Sequence, residues 1–386
     1  MQVQHLVDLP LLASGKVDYR SLRERADAVL SQETRTVPSS DFVQFLARVV
    51  HQPKIDPLRS FNEIGGDSLA FLEVELFLSK ALGQVPDGWE KVPIWELADL
   101  VKSGKVGQRP GVGSLQRIGT EVPIRVLAIF WVIMLHSGLV THGGGVYALI
   151  MLAGYSFAKH QHVPLTSGFV WRTVSSILPP LMITYIVLLV IISLHFEVDW
   201  KWFAFIANFW VAEDITPDPG FIIAYWFVSA YVQAIVLVSL PFLFKPVRSA
   251  VAREPFLVGI LATSVLTGIA TLWPLVPDQS GLVRLPDAFL ALFGLGWCIA
   301  MASTKSERLG TTVFAIAAWF VCWRHIDMTV DIAILIVALL MLWLPRISLP
   351  GLVARGLREV AALTMFIYLL HVPSLSDILQ VACWLT

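Results

Sequence analysis

The stretch VPIRVLAIFWVIMLHSG, residues 122–138, decides the fold. It opens an apolar run over 122–141 that is long enough to cross a bilayer as a helix. Two ionisable residues interrupt it, Arg125 near one end and His136 eleven positions on. At about 1.5 Å and 100° per residue they lie roughly 16 Å apart along a helix and about 20° apart around it, so they share one face. Ionisable groups at membrane depth are costly, which favours a functional role for both. Two plainer readings stand beside it: an interfacial anchor for Arg125, and a hydrogen-bonded packing residue for His136.

Toward the C-terminus the apolar character continues. Further segments of spanning or near-spanning length lie near 143–159, 174–196, 221–244, 255–276, 285–302, 309–323, 330–345 and 360–384, nine in all with the first. A tenth, WFAFIANFWVA (202–212), is short and aromatic, so it reads as interfacial or re-entrant. With 202–212 not crossing, Lys159, Arg172, Lys245, Arg248, Arg253, Lys305, Arg308, Arg346, Arg355 and Arg358 fall in loops on the side of the N-terminus. Only Lys201, Arg284 and Arg324 fall on the other. The excess of cations predicts a cytoplasmic N-terminal part, a multi-pass domain in the cell (inner) membrane, and a C-terminus outside.

Toward the N-terminus the composition changes. Residues 1–121 hold 30 of the 57 charged residues, although the whole chain has a mean hydropathy of +0.70. A net charge of −1 without a basic run predicts no nucleic-acid partner. Cys298, Cys322 and Cys383 lie in apolar segments without metal-ligand spacing, so no metal site is expected. MQVQHLVDLPLLASGKVDYR lacks the sustained apolar region of a signal peptide. Residues 39–52 repeat apolar positions with a helical period behind a Ser/Asp cap, a helix is expected from Ser68 to about Leu82, and another over 93–104. Three helices in about 70 residues predict a small bundle. The fold class expected is therefore all-α, a soluble helical bundle followed by a polytopic bundle of nine or ten spans.

FNEIGGDSL (61–69) resembles the attachment motif of peptidyl and acyl carrier proteins, a likeness that extends over 36–108. It implies 4′-phosphopantetheine on Ser68, with Asp67 marking the site for a phosphopantetheinyl transferase. The residues fit that chemistry. Gly65 and Gly66 permit close backbone approach, and Ser68 stands at a helix N-terminus, where N–H groups and the dipole favour a phosphodiester. LPLLASGKVDYRSLRE (9–24) is similar to the last core motif of adenylate-forming domains, with Lys16 at the motif's lysine. Residues 1–35 then read as the tail of such a domain, and a separate adenylation protein is the expected loading partner.

Residues 122–386 resemble the acyltransferase family 3 membrane domain, joined to the soluble part by a linker over 109–121. Arg125 and His136 match its R-x10-H first helix. GGGVYALIMLAGYSFAKH (143–160), WRTVSSILPPLMITY (171–185), YWFVSAYVQAIVL (225–237) and MFIYLLHVPSL (365–375) are similar to later motifs in family order. Three positions depart from the pattern: Val122 stands where the family has an acid, although Glu121 adjoins it; Ser175 replaces a second arginine; Tyr231 replaces a further acid.

Together the resemblances imply a membrane acyltransferase fed by its own carrier. An acyl or aminoacyl thioester on the arm at Ser68 would pass to a hydroxyl or amine of a glycan, lipid or small molecule. Arg125 and Arg172 are the expected phosphodiester contacts, and His136 the expected general base. The alternative is a carrier-coupled export conduit without acyl-transfer chemistry.

Overall fold

The computed structural model describes residues 41–66, 68–82, 85, 86, 88–103, 115–141, 143–209, 224–272, 284–320 and 328–371. The expected adenylation tail with Lys16, the linker portion 109–114, Asp67, and positions 372–384 of the last apolar segment lie outside these residues, as does the side chain of Ser68.

The N-terminal module contains α1 (Asp41–Val49), α2 (Phe61–Ile64), α3 (Ser68–Leu82) and α4 (Ile94–Ser103). Phe42, Leu46 and Val50 recur every four residues and pack with Phe61, Val74, Leu78 and Trp89 into one core. The short α2 starts where the Glu63 carboxylate accepts hydrogen bonds from the Ser60 backbone N–H at 2.8 Å and hydroxyl at 2.9 Å. These bonds hold the Glu63 carboxyl below its ordinary value, the backbone contribution being the larger. The turn ends at Gly65 with φ +73°, a left-handed conformation that suits glycine. The three expected helices are therefore present, with α2 an additional short turn.

The remaining helices are α5 (Glu121–His136), α6 (Gly145–Thr166), α7 (Val170–Ser193), α8 (Trp200–Phe203), α9 (Trp226–Ser239), α10 (Lys245–Arg253), α11 (Pro255–Leu272), α12 (Pro286–Met301), α13 (Lys305–Ala318), α14 (Met328–Trp343) and α15 (Gly351–Ala362). A further helical stretch covers 364–371. Among the described residues three helices are long and apolar enough to cross a membrane: Val170–Ser193, Trp226–Leu243 and Pro255–Leu272. Pro286–Met301 and Ile332–Trp343 are shorter apolar helices. The class is all-α, as expected.

At the centre, α6 and α12 cross closely. A Cβ on Gly154 would meet the Phe293 carbonyl oxygen, and one on Gly296 that of Met151. Only small residues allow so close a crossing, the usual device for helix pairs in lipid. The tenth apolar stretch does not form a spanning helix over its described part. It breaks into α8 and a 3-10 turn at Ala207–Phe209. There Asn208 and Gln233 exchange amide hydrogen bonds at 3.1 and 2.8 Å, and Gln233 also donates to the Phe205 carbonyl at 2.6 Å. Gln233 lies midway along α9, so the segment folds back into the bundle.

Three expectations need correction. The linker expected over 109–121 includes an ordered part: β1 (Leu115–Gly119) pairs antiparallel with β2 (Arg346–Pro350), with Gln116 opposite Leu349 and Ile118 opposite Ile347. Ile118 is buried with Val122, Val126 and Ala354, which is why this stretch is held rather than loose. The last apolar segment does not begin as one helix at 360; α15 starts at Gly351 and the chain turns at Leu363. Arg358, counted as a loop cation, is fully buried on α15, and Lys159 lies within α6 in an ion pair.

Candidate active site

The module is seated on the C-terminal end of α6, the N-terminal end of α7, and α15. Gln161, buried on α6, donates through Nε2 to the carbonyl of Gly66 at 2.9 Å and more weakly to that of Gly65 at 3.3 Å. Pro164, one turn further on, lies under Gly65, where a Cβ would come within 2.9 Å of Pro164 Cγ. The turn that leads into Ser68 and α3 is thus set directly on the membrane domain. One turn into α3, the Phe71 ring lies 4.6 Å from that of His160, and the Lys159 ammonium sits 4.9 Å over its face.

A buried ion pair holds the same face. Arg358 on α15 donates through Nε to Glu75 on α3 at 3.2 Å, through Nη1 to Gln116 on β1 at 3.0 Å, and through Nη2 to the Arg117 carbonyl at 3.4 Å. Burial pushes the Glu75 carboxyl above the ordinary carboxylate range, while the Arg358 guanidinium pulls it down. Lys80 and Glu359 add an exposed pair at 3.6 Å. Arg172, at the start of α7, donates to Gln52 of the module. Its place in the structure is therefore a contact with the loop after α1.

Arg125 lies behind this junction. It donates to Ser156 on α6 at 3.1 Å, and Glu121, one turn before it, pairs with Lys159 at 2.8 Å. Glu121, the acid that adjoins Val122, thus takes the lysine as its partner. Two cavities share Arg125. The smaller also touches Phe71 and Leu72 of α3, Glu121, Tyr155 and His160. The larger, about 160 Å³, runs between α5, α6, α7, α9 and the 361–368 segment. Its lining is apolar apart from Arg125, Thr184, Tyr231, Thr364 and the Tyr368 ring. Tyr231, which replaces the family's acid, therefore presents a phenol instead of a carboxylate to this space.

At the far end of α5, His136 Nδ1 lies 2.6 Å from His371 Nε2, and the rings are stacked at 4.9 Å. His371 Nδ1 lies 2.6 Å from the carbonyl of Tyr368. A carbonyl only accepts, so His371 carries its proton on Nδ1 and offers the lone pair of Nε2. His136 must then donate from Nδ1, which leaves the lone pair of its Nε2 available. Tyr368 is itself anchored, its hydroxyl donating to the carbonyl of Ala224, while the Tyr225 hydroxyl donates to that of Leu369 at 2.8 Å. His136 is exposed and His371 buried.

Of the residues predicted from sequence, Arg125 and His136 occupy one helix. The larger cavity is lined by Arg125 and by Thr364, Met365, Phe366 and Tyr368 of the helical stretch that carries His371; neither His136 nor His371 is among its lining residues. Ser68 begins α3, whose next turn touches the smaller cavity. Arg172 is apart from both cavities, on Gln52. Sequence reasoning missed His371, His160, Gln161 and the Glu75–Arg358 pair. His371 lies in the quoted stretch MFIYLLHVPSL, where a histidine in an apolar run was the available signal.

An acyltransferase domain family matches residues 124–380. No curated protein and no solved structure matches the chain.

Proposed function

The chain belongs to this acyltransferase domain family and is a membrane acyltransferase, and from that premise we propose that its donor is a thioester carried by its own N-terminal module. The observation that carries the reading is the pair of hydrogen bonds from Gln161 to the carbonyls of Gly65 and Gly66. They seat the turn before Ser68 on α6, and one turn into α3 Phe71 and Leu72 line the smaller cavity together with Arg125. Ser68 opens a helix of 15 residues, and a guanidinium lies behind the next turn, a donor set suited to a phosphodiester.

On this reading residues 36–108 are a cytoplasmic carrier domain, 1–35 are the remnant of an adenylation domain, and nine helices cross the inner membrane. A phosphopantetheinyl transferase modifies Ser68, with Asp67 as its recognition residue, and a separate adenylation protein loads it. When bound, 4′-phosphopantetheine supplies the acyl thioester. Arg125 would hold its phosphodiester, and Arg172 steadies the module through Gln52. The short tether keeps the local donor concentration high, of order mM.

His136 is the general base. Its Nε2 would take the proton of a hydroxyl or amine on a glycan, lipid or small-molecule acceptor as that oxygen or nitrogen bonds to the thioester carbonyl carbon; the C–S bond breaks and the departing thiolate takes up the proton as a thiol. His371 holds the ring in the tautomer that leaves Nε2 free and, through the Tyr368 carbonyl, stabilises the imidazolium that forms.

The test uses full-length protein co-expressed with a phosphopantetheinyl transferase. Mass spectrometry should find one added arm on the wild type and none on Ser68→Ala. The loaded wild type should transfer its acyl group to acceptor in a single turnover. An unmodified wild-type Ser68, or a loaded protein that never discharges, would sink the proposal.

A further inference from the structure

Away from this site, a groove opens between the end of α9, α10, α11 and α12. Its volume is about 560 Å³. Among the described residues Thr263 is its one hydroxyl-bearing lining side chain, and that hydroxyl is already committed to the Gly259 carbonyl at 2.8 Å. Two glycines hollow its wall: a Cβ on Gly259 would strike Trp297, and one on Gly294 would strike Thr263. Along α11 the lining runs from Val258 to Leu266. Eight residues of helix are about 12 Å, close to half of the ~30 Å hydrocarbon core, so the groove is as deep as one leaflet.

Its mouth is α10, with sequence KPVRSAVAR. Val247 and Val251 line the groove. At 100° per residue Lys245, Arg248 and Arg253 fall away from the valine stripe. Arg248 lies against Gly168 in the α6–α7 turn, which fixes α10 at the end of the bundle that holds the module. A short helix with valines down and bases up lies in an interface, its cations at headgroup level.

We infer that this groove binds an anionic phospholipid from the leaflet on the module side, with one acyl chain in the groove and the headgroup phosphate among the bases of α10. Groove depth fits the chain, the lining excludes a polar guest, and the charge of α10 fits the headgroup. The site is separate from His136 and Arg125, and it does not depend on the nature of the acyl donor.

Native mass spectrometry can test it on full-length protein reconstituted in equal parts phosphatidylglycerol and phosphatidylcholine, then extracted with mild detergent. Wild type should retain one phosphatidylglycerol with at least about tenfold preference over phosphatidylcholine, as several interfacial cations would give. Ala262→Trp, which fills the groove from an exposed position on α11, should abolish retention. The triple variant K245Q/R248Q/R253Q should still retain lipid but lose the preference. Val265→Trp serves as a second filler should Ala262→Trp fail to elute as a folded monodisperse species. Equal retention of both lipids by the wild type, no retained lipid, unchanged retention in the folded filler, or an undiminished preference in the triple variant would each overturn the inference.

Discussion

His136 Nδ1 stands 2.6 Å from Nε2 of His371, a residue 235 positions away in the chain. The two rings play unequal parts. His371, fixed by the Tyr368 carbonyl, sets which nitrogen of His136 is free. His136→Ala should reduce acyl transfer by about 10²–10⁴-fold, the usual worth of a general base. His371→Ala should cost less, about tenfold to a hundredfold, because the base remains but its tautomer is no longer held. Both losses should fall on kcat, with loading of Ser68 unchanged. Wild-type kcat in folded His136→Ala would remove the catalytic assignment.

Arg358 and Glu75 make the second prediction. Removing one member of a buried ion pair strands the other, at a cost of about 3–5 kcal/mol. Arg358→Met should therefore release the module from α15 and raise hydrogen exchange across 61–78. Transfer from Ser68 should fall, while transfer from an added free thioester should not. The double variant Glu75→Leu with Arg358→Met should recover much of the docking, since two apolar residues leave no stranded charge. Unchanged exchange in Arg358→Met would show that the pair does not hold the junction.

Gly65 separates folding of the module from its docking. Alanine at φ +73° incurs the left-handed penalty of about 1–2 kcal/mol and also meets Pro164. Asparagine tolerates that φ better but keeps the collision. Gly65→Asn should leave the module folded by circular dichroism of the isolated 36–108 fragment and, in the full chain, impair transfer from Ser68. Gly65→Ala should impair both. Full transfer by Gly65→Asn would mean that the turn need not sit on Pro164.

The excess of loop cations predicts that the module end of the bundle faces the cytoplasm. α10 lies beside Gly168 at the module end, and Leu139 lies just beyond His136 at the other. In a cysteine-free background, a membrane-impermeant thiol reagent applied outside intact cells should label Leu139→Cys and miss Ala250→Cys. Labelling of position 250 alone would invert the topology.

Local signals were the ones that could be read from sequence. The Ser/Asp cap and apolar period mark α1, the two glycines before Ser68 mark the start of α3, and two polar residues in an apolar run single out Arg125 and His136. What stayed hidden depends on partners far along the chain. Arg358 reads as a loop cation because nothing near it announces Glu75, 283 residues before it. β1 escaped notice because five residues, LQRIG, carry little strand signal until paired with RISLP. His371 was visible as a residue, but its role is defined by His136. The family resemblance implies a phosphodiester contact for Arg172; its geometry ties it to Gln52.

The Glu75–Arg358 contact also sets a clock. Translation proceeds at about 5–20 residues per second, so the 283 residues between them take roughly 15–60 s to synthesise. Through that interval Glu75 lacks the Arg358 guanidinium to bury against, and the face of α3 that later closes on α15 remains uncovered. Every newly made chain thus passes through an undocked stage long enough for an enzyme to reach the start of α3 before its membrane half is complete.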